Sequence, residues 1–192
     1  MFNFFAYMAR MKLIKRWSLM KANDRENVAE HSAQTAQIAH ALAVIKNRLY
    51  EGNVNADRVA TLALYHEAAE VITGDLPTPI KYFNPKIRTA FQEIEEIAND
   101  KLLSMLPSEL KDDYRELISP DASSYESILV KAADKISAYI KCIEEMRSGN
   151  REFAKAELSL KKEVESYFTY PEVKYFCDKF LSSFKKTLDE LD

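Results

Sequence analysis

Residues 65–79 read YHEAAEVITGDLPTP, and this segment carries the clearest structural information in the chain. Glu70 follows His66 by four positions and Glu67 by three, so on a helix the three polar side chains share one face. They interrupt an otherwise apolar run, where acidic groups are costly unless they are paired or bound to a metal. Gly74 is a typical helix end, and the prolines at 77 and 79 stiffen the loop beyond it. The segment therefore predicts a helix with a polar face beside a rigid loop, and this face is either an ordinary i,i+4 polar face or one that binds a cation.

Capping signals predict helices along the rest of the chain. Asn27 with Glu30 three residues later resembles a capping box and opens a helix to about Arg48. Asn55 is placed to cap a helix from Ala56 to Thr73. Further helices are expected over about residues 2–14, 85–106, 124–148, 151–170 and 172–191, with a short one between Pro107 and Ser119.

Composition favours an all-α protein. Only 3 glycines occur and hairpin signals such as Asn-Gly are absent, which argues against β-structure. The 192 residues and the hydrophobic fraction of 47% suit one folded domain, so we expect a single compact helical domain of seven or eight helices spanning residues 1–192.

Charge and apolar runs narrow the function classes. A net charge of −3 provides no basic surface for a nucleic-acid polymer. No apolar run approaches the length of a membrane span, and no secretory signal is evident. The isolated Cys142 and Cys177 are expected to be buried thiols in a reducing compartment. We therefore expect a cytoplasmic protein without a membrane or nucleic-acid partner.

Histidines and acids distributed along the chain suggest a metal site. The candidate ligands are His31, His66, Glu67 and Asp134, and imidazole with carboxylate suits a borderline divalent cation. His40 lies nine residues after His31, which is about half a turn away at about 100° per residue, so the two rings face opposite ways. We therefore assign His40 a structural role.

Several motifs together resemble one family. They are Arg16–Met20 (RWSLM), Glu26–Ser32 (ENVAEHS), the stretch from Tyr65 to Phe83, Lys131–Asp134 (KAAD) and Ala138–Cys142 (AYIKC). In this order, with the spacing H…HD…D, they are similar to the HD-domain superfamily and, more closely, to bacterial 5′-deoxynucleotidases of the YfbR type. The resemblance covers nearly the whole chain.

The resemblance implies a helical, metal-dependent phosphomonoesterase, and a homodimer, that hydrolyses deoxyribonucleoside 5′-monophosphates. It implies that His31, His66, Glu67 and Asp134 bind one divalent cation, which the donor types allow to be cobalt, manganese, zinc or iron. It also implies that Glu70 and Asp75 act near the phosphate and the attacking water. Arg16 would contact the phosphate, and Trp17 would shape the sugar side against a ribose 2′-hydroxyl.

The chain departs from the family pattern at one ligand. Glu67 stands where the family has Asp, and its extra methylene moves the carboxylate by about 1.5 Å. Two alternatives therefore stay open at this point. One is a nucleotide-binding protein of HD fold whose catalysis is impaired by Glu67, and the other is an HD phosphohydrolase that acts on another small phosphate ester.

Overall fold

A computed structural model describes residues 1–81 and 83–192. Their regular structure is helical apart from one isolated antiparallel bridge between Lys15 and Asn27, so the predicted all-α class is confirmed. The α-helices are α1 (Phe4–Met8), α2 (Val28–Leu49), α3 (Ala56–Tyr65), α4 (Glu70–Thr73), α5 (Thr78–Lys81), α6 (Pro85–Ser104), α7 (Lys111–Ile118), α8 (Tyr125–Arg147), α9 (Ala154–Ser166) and α10 (Pro171–Phe180).

The central helices form the main core. α2 packs against α3, α8 and α10, and α8 also packs against α9. Small side chains such as Ala39, Ala43, Ala132 and Ala133 are fully or almost fully buried where these helices meet. Small residues let helix axes approach closely. The packing therefore brings the first turn of α2, the end of α3 and the middle of α8 together.

The predicted caps form as local sequence chemistry requires. Asn27 and Glu30 make a reciprocal capping box at the start of α2, and Asn55 accepts a hydrogen bond from the amide of Arg58 at the start of α3. Asn84 caps α6, whose first residue is Pro85. Each side chain satisfies an amide that the helix itself leaves unpaired.

The prediction of one continuous helix from Ala56 to Thr73 is wrong. Residues 66–69 form consecutive turns that separate α3 from α4. The Nδ1 atom of His66 lies 2.7 Å from the carbonyl oxygen of Ala63 and competes for that backbone acceptor. The backbone tightens to three-residue hydrogen bonds, for example from the amide of Glu70 to the carbonyl of Glu67 at 3.1 Å. The polar segment is thus a turn between two helices.

Both predicted terminal helices are also too long. After α1 the chain makes a 3₁₀ turn at Met11–Leu13, because Ile14 must accept a hydrogen bond from the amide of Val28 at 3.0 Å. After α10 the chain continues as 3₁₀ turns at Leu181–Lys185 and Leu188–Glu190, the second with its own capping box. Within the described ranges, no helix has both the length and the apolar content needed to cross a bilayer.

Candidate metal centre

Four side chains from three segments converge at one point. His31 comes from the first turn of α2, His66 and Glu67 from the turn after α3, and Asp134 from the middle of α8. One ligand atom from each lies within 4.8 Å of all the others. We call these residues the histidine–carboxylate cluster. Its members are the four ligands that the sequence suggested.

The spacing within the histidine–carboxylate cluster fits a single cation. The Nε2 atom of His31 lies 2.9 Å from Oδ1 of Asp134, and Nε2 of His66 lies 3.6 Å from Oε1 of Glu67 and 3.9 Å from Oδ1 of Asp134. Ligands about 2.0–2.2 Å from one ion are separated by about 3 to 4 Å. The longer side chain of Glu67 therefore still reaches the cluster.

Both imidazole rings are held so that Nε2 faces the cluster. Nδ1 of His66 is placed to donate to the carbonyl of Ala63, and Nδ1 of His31 lies 3.2 Å from the hydroxyl oxygen of Ser137. Ser137 in turn donates to Oε1 of Gln34 at 2.6 Å, which leaves its oxygen able to accept from His31. A hydrogen bond at Nδ1 places the lone pair on Nε2, the form that binds a metal.

Two of the five buried side-chain polar atoms that lack hydrogen-bond partners in the part of the chain that the structure describes are Nε2 of His66 and Oε2 of Glu70, which lie in this region. The other three belong to Ser32, Asn99 and Glu172. Unsatisfied buried polar atoms are uncommon, because their desolvation is not compensated. The donor set, its spacing and the unpaired imidazole nitrogen together fit a divalent cation at the cluster.

Buried charges shift the pKa values of these groups in opposite directions. Burial and the neighbouring charges of Glu67 and Asp75 raise the pKa of Glu70 to about 10. Burial alone would raise the pKa of Asp134, but its hydrogen bond to His31 and the nearby imidazole of His66 hold that pKa well below its usual value. Burial opposes protonation of His66, yet the carboxylates of Glu67 and Asp134 offset this and raise its pKa. Within the cluster, His66 therefore binds a proton more readily than a free imidazole does, and a cation at the cluster would compete with that proton.

The residues assigned to the substrate side lie next to the cluster. The Nη1 atom of Arg16 is 3.7 Å from Oε1 of Glu67, and Arg16 also lowers the pKa of Asp75, although burial leaves that pKa raised overall. Trp17 follows Arg16 in the loop between α1 and α2, and its ring packs against Phe153 at 5.2 Å between centroids. His40, as expected, is elsewhere and lies 3.9 Å from Asp57 at the surface.

Sequence reasoning missed three residues around the cluster. Ser137 follows Asp134 by three positions and Gln34 follows His31 by three, so helical spacing of polar residues would have suggested both. Glu26 contacts Arg16, Trp17 and His31 from an irregular loop. No spacing rule links it to partners ten, nine and five positions away.

Comparison with known proteins agrees with this geometry. A family model described as 5′-deoxynucleotidase YfbR-like matches residues 3–184. The chain belongs to the YfbR-like 5′-deoxynucleotidase family. A 5′-deoxynucleotidase of Vibrio vulnificus is 52% identical over 190 residues, with 98% of this chain and 97% of the relative covered. A 5′-deoxynucleotidase of Yersinia pestis is 52% identical over 192 residues, covering 100% of this chain and 97% of the relative.

Solved structures show the same fold at lower sequence identity. An HD-domain phosphohydrolase of Listeria innocua superimposes with a TM-score of 0.85 at 24% identity, covering 95% of this chain and 88% of the other. An HD phosphohydrolase of cyanophage S-2L, solved with dA and one catalytic Zn²⁺ ion, has a TM-score of 0.65 at 16% identity, covering 93% and 96%. This YfbR-like chain therefore has the fold of HD-domain phosphohydrolases.

Proposed function

We propose that this protein is a divalent-metal-dependent phosphomonoesterase that hydrolyses deoxyribonucleoside 5′-monophosphates to a deoxynucleoside and phosphate. The convergence of His31, His66, Glu67 and Asp134 beside Arg16 is the observation that carries the proposal. The full-length relatives from Vibrio and Yersinia, which are named 5′-deoxynucleotidases, support the substrate class.

The histidine–carboxylate cluster would hold one divalent cation. A cation bound there would supply Lewis-acid polarisation of the phosphoryl oxygens and would lower the pKa of a bound water. The two nitrogen and two oxygen donors are compatible with cobalt, manganese, zinc or iron. The zinc ion in the cyanophage neighbour agrees with a divalent ion of this group.

Arg16 and Trp17 would form the substrate side of the site. A guanidinium recognises phosphate by charge-assisted and bidentate hydrogen bonds, and Arg16 already faces the acidic cluster. The indole of Trp17 would lie against the sugar, where crowding would disfavour a 2′-hydroxyl. Asp75, which interacts electrostatically with Arg16, would help to orient that guanidinium and the substrate.

Glu70 and Asp75 are the candidates for proton transfer. Hydrolysis forms a bond from a water oxygen to phosphorus, breaks the bond from phosphorus to the 5′-oxygen, and requires a proton on that leaving oxygen. The pKa values of both carboxyl groups are raised, so either can hold a proton nearer to neutral pH than an exposed acid would. One of these two groups would orient the water and the other would protonate the 5′-oxygen.

The proposal can be tested by measuring phosphate release from paired deoxy- and ribonucleoside monophosphates. Each pair is assayed with and without added divalent cations. We expect release from the deoxy member of each pair, dependence on the cation, and much slower release from the ribo member. Equal turnover of both sugars would contradict the assigned substrate. Turnover that survives exhaustive chelation would contradict the metal requirement.

Separate variants test the two carboxyl groups. We expect Glu70→Ala and Asp75→Ala to lose phosphate release while metal analysis shows the cation still bound. Unchanged turnover in both variants would remove these residues from the chemistry.

Glu67→Asp tests the alternative of impaired catalysis. We expect the native chain to bind a cation and to turn over deoxynucleotides, since Oε1 of Glu67 reaches the other ligands. Activity that appears only in Glu67→Asp would instead favour a nucleotide-binding protein. A panel of other phosphate esters addresses the remaining alternative.

Three further expectations stay predictions: that residues 1–192 form one domain, that the protein is a homodimer, and that it is cytoplasmic. Light scattering of the purified protein tests the dimer.

A further inference from the structure

Glu26 connects three residues of the site through one carboxylate. Its Oε2 atom accepts hydrogen bonds from Nε of Arg16 at 3.1 Å and from Nε1 of Trp17 at 2.9 Å, and its Oε1 atom lies 3.8 Å from Nδ1 of His31. We propose that Glu26 is a positioning residue that holds Arg16 and Trp17 in the geometry that binds the substrate. This inference rests on the proposed function, because it assigns Glu26 a role in binding that substrate.

The backbone of Trp17 shows why such a restraint is needed. Trp17 has φ of 59°, which places a bulky residue in the left-handed region. In the described ranges only one other residue that is not glycine, Glu51, shares a positive φ. Side chains other than glycine adopt this conformation only where surrounding contacts enforce it. The indole is held by Glu26 on its N–H and by packing against Phe153.

Glu26 also sets the direction of the Arg16 guanidinium. The carboxylate of Glu26 accepts a hydrogen bond from Nε on one edge of the planar guanidinium. In this orientation, Nη1 of Arg16 lies 3.7 Å from Oε1 of Glu67. A guanidinium has a rigid fork of donors, so fixing Nε fixes the plane in which the terminal nitrogens meet a phosphate. Without Glu26 the side chain would have to lose rotational freedom when the substrate binds.

The loop that carries these residues is held at its base and near its middle. At its base, the amide of Arg16 donates to the carbonyl of Glu26 at 3.1 Å, next to the bridge between Lys15 and Asn27. Near its middle, the amides of Asn23 and Asp24 donate to the two carboxylate oxygens of Glu145 on α8, at 2.9 and 3.1 Å. Glu26 is therefore placed independently of any ligand, as a preorganised site requires.

Glu26→Gln keeps the shape of the side chain and removes its charge. The matched control is Glu30→Gln, because Glu30 is four residues away and exposed, and its carboxylate accepts a hydrogen bond from the amide of Asn27, which a glutamine can also accept. Trp17 is the only tryptophan of the chain, so intrinsic fluorescence reports on it directly. The measurements are the emission of the cation-free protein, binding of deoxyadenosine 5′-monophosphate by fluorescence titration, and its kcat and KM with added divalent cation.

We expect Glu26→Gln to shift the emission of Trp17 and to raise KM and Kd about tenfold or more, with kcat changed much less. Glu30→Gln should match the native chain in all of these. Glu26→Asp, a second variant, keeps the charge but is too short to reach both donors, so it should also bind weakly. The inference would be overturned if Glu26→Gln had the same Trp17 emission and KM as the native chain. It would also be overturned if Glu26→Asp bound the nucleotide as tightly as the native chain.

The same measurements separate this inference from the proposed function. A native chain that binds deoxyadenosine monophosphate but does not hydrolyse it would refute the proposed function, while the Kd values and emission would still decide the role of Glu26. A native chain that neither binds nor hydrolyses this nucleotide would overturn both.

Discussion

Two buried polar clusters among the described residues differ in how completely their polar atoms are hydrogen-bonded. The histidine–carboxylate cluster has an unpaired nitrogen on His66, and the neighbouring Glu70 has an unpaired carboxylate oxygen. The second, which we call the Glu145 cluster, comprises Glu145 with Lys141, Asn150, Asn23 and Asp24. There, each carboxylate oxygen of Glu145 accepts two hydrogen bonds, from Asp24 and Lys141 on one side and from Asn23 and Asn150 on the other.

The pKa values of two buried glutamates, Glu145 and Glu70, shift in opposite directions. Although burial opposes it, hydrogen bonding to Lys141, Asn23 and Asn150 lowers the pKa of Glu145 to about 2. Burial and neighbouring acids raise the pKa of Glu70 to about 10. A buried carboxylate surrounded by donors is held ionised, whereas a buried carboxyl group surrounded by other carboxylates is held protonated. The Glu145 cluster and the candidate metal centre thus differ in how fully their buried carboxyl groups are hydrogen-bonded.

The largest expected effect is on activity. We expect His66→Ala to lower deoxynucleotidase turnover by about 1,000-fold or more, because it would remove one proposed ligand of a divalent cation, which would stabilise the transition state by several kcal/mol. Phosphate release under saturating cation measures this. The matched control is His40→Ala, whose native ring is 47% exposed and should be dispensable. Equal losses in both variants would mean that the histidine–carboxylate cluster is not the site.

The next effect is on stability. We expect Glu145→Ala to lower the free energy of unfolding by about 3–5 kcal/mol, because Lys141 and two loop amides would lose their buried acceptor. Urea titration followed by circular dichroism measures it. The exposed neighbour Glu144 provides the control, and Glu144→Ala should change the free energy by less than about 0.5 kcal/mol. A small effect at Glu145 would show that the Glu145 cluster does not stabilise the fold.

A third prediction concerns pH. Since the pKa of Glu70 rises from 4.5 in the unfolded chain to about 10 in the fold, the folded protein binds more protons across this window. We therefore expect the cation-free native protein to lose stability as pH rises from 4.5 toward 10, and Glu70→Gln to lose less. Thermal unfolding across the pH range measures the difference.

The pKa of His66 is also raised in the fold, above its usual 6.5, so deprotonation of His66 likewise lowers stability as pH rises. The stability of Glu70→Gln should therefore still fall with pH, but less steeply than that of the native chain. Added divalent cation should reduce the alkaline loss in the native chain. A native profile that rises with pH above neutrality would contradict the picture of repelling carboxylates.

The smallest expected effect is at an exposed ion pair. Arg58 and Glu116 lie 3.0 Å apart, but their side chains are 42% and 69% exposed. We expect Arg58→Ala and Glu116→Ala each to change the free energy of unfolding by less than about 1 kcal/mol, because water screens the pair. A double-mutant cycle with urea titration checks this. A coupling energy between Arg58 and Glu116 as large as the stability loss expected for Glu145→Ala would mean that burial does not decide the strength of these contacts.

Local features of the fold were predictable from the sequence. The caps at Asn27, Asn55 and Asn84 each satisfy an amide three residues later, so their chemistry is complete within one helical turn. The division between α3 and α4 was not predictable in this way. It depends on the imidazole of His66 turning back to Ala63, an orientation that accompanies convergence with Asp134.

In the candidate site, too, some features follow from local sequence and others depend on long-range packing. Sequence alone determined the helical class, the capped ends and, by family resemblance, the four candidate ligands. The tertiary structure decided that His31 and Asp134, 103 residues apart, meet at 2.9 Å, and that Glu26 joins Arg16 to Trp17. Caps and helical faces follow from interactions within about one turn. Convergence follows from the packing of whole helices, whose close approach depends on every buried side chain between them.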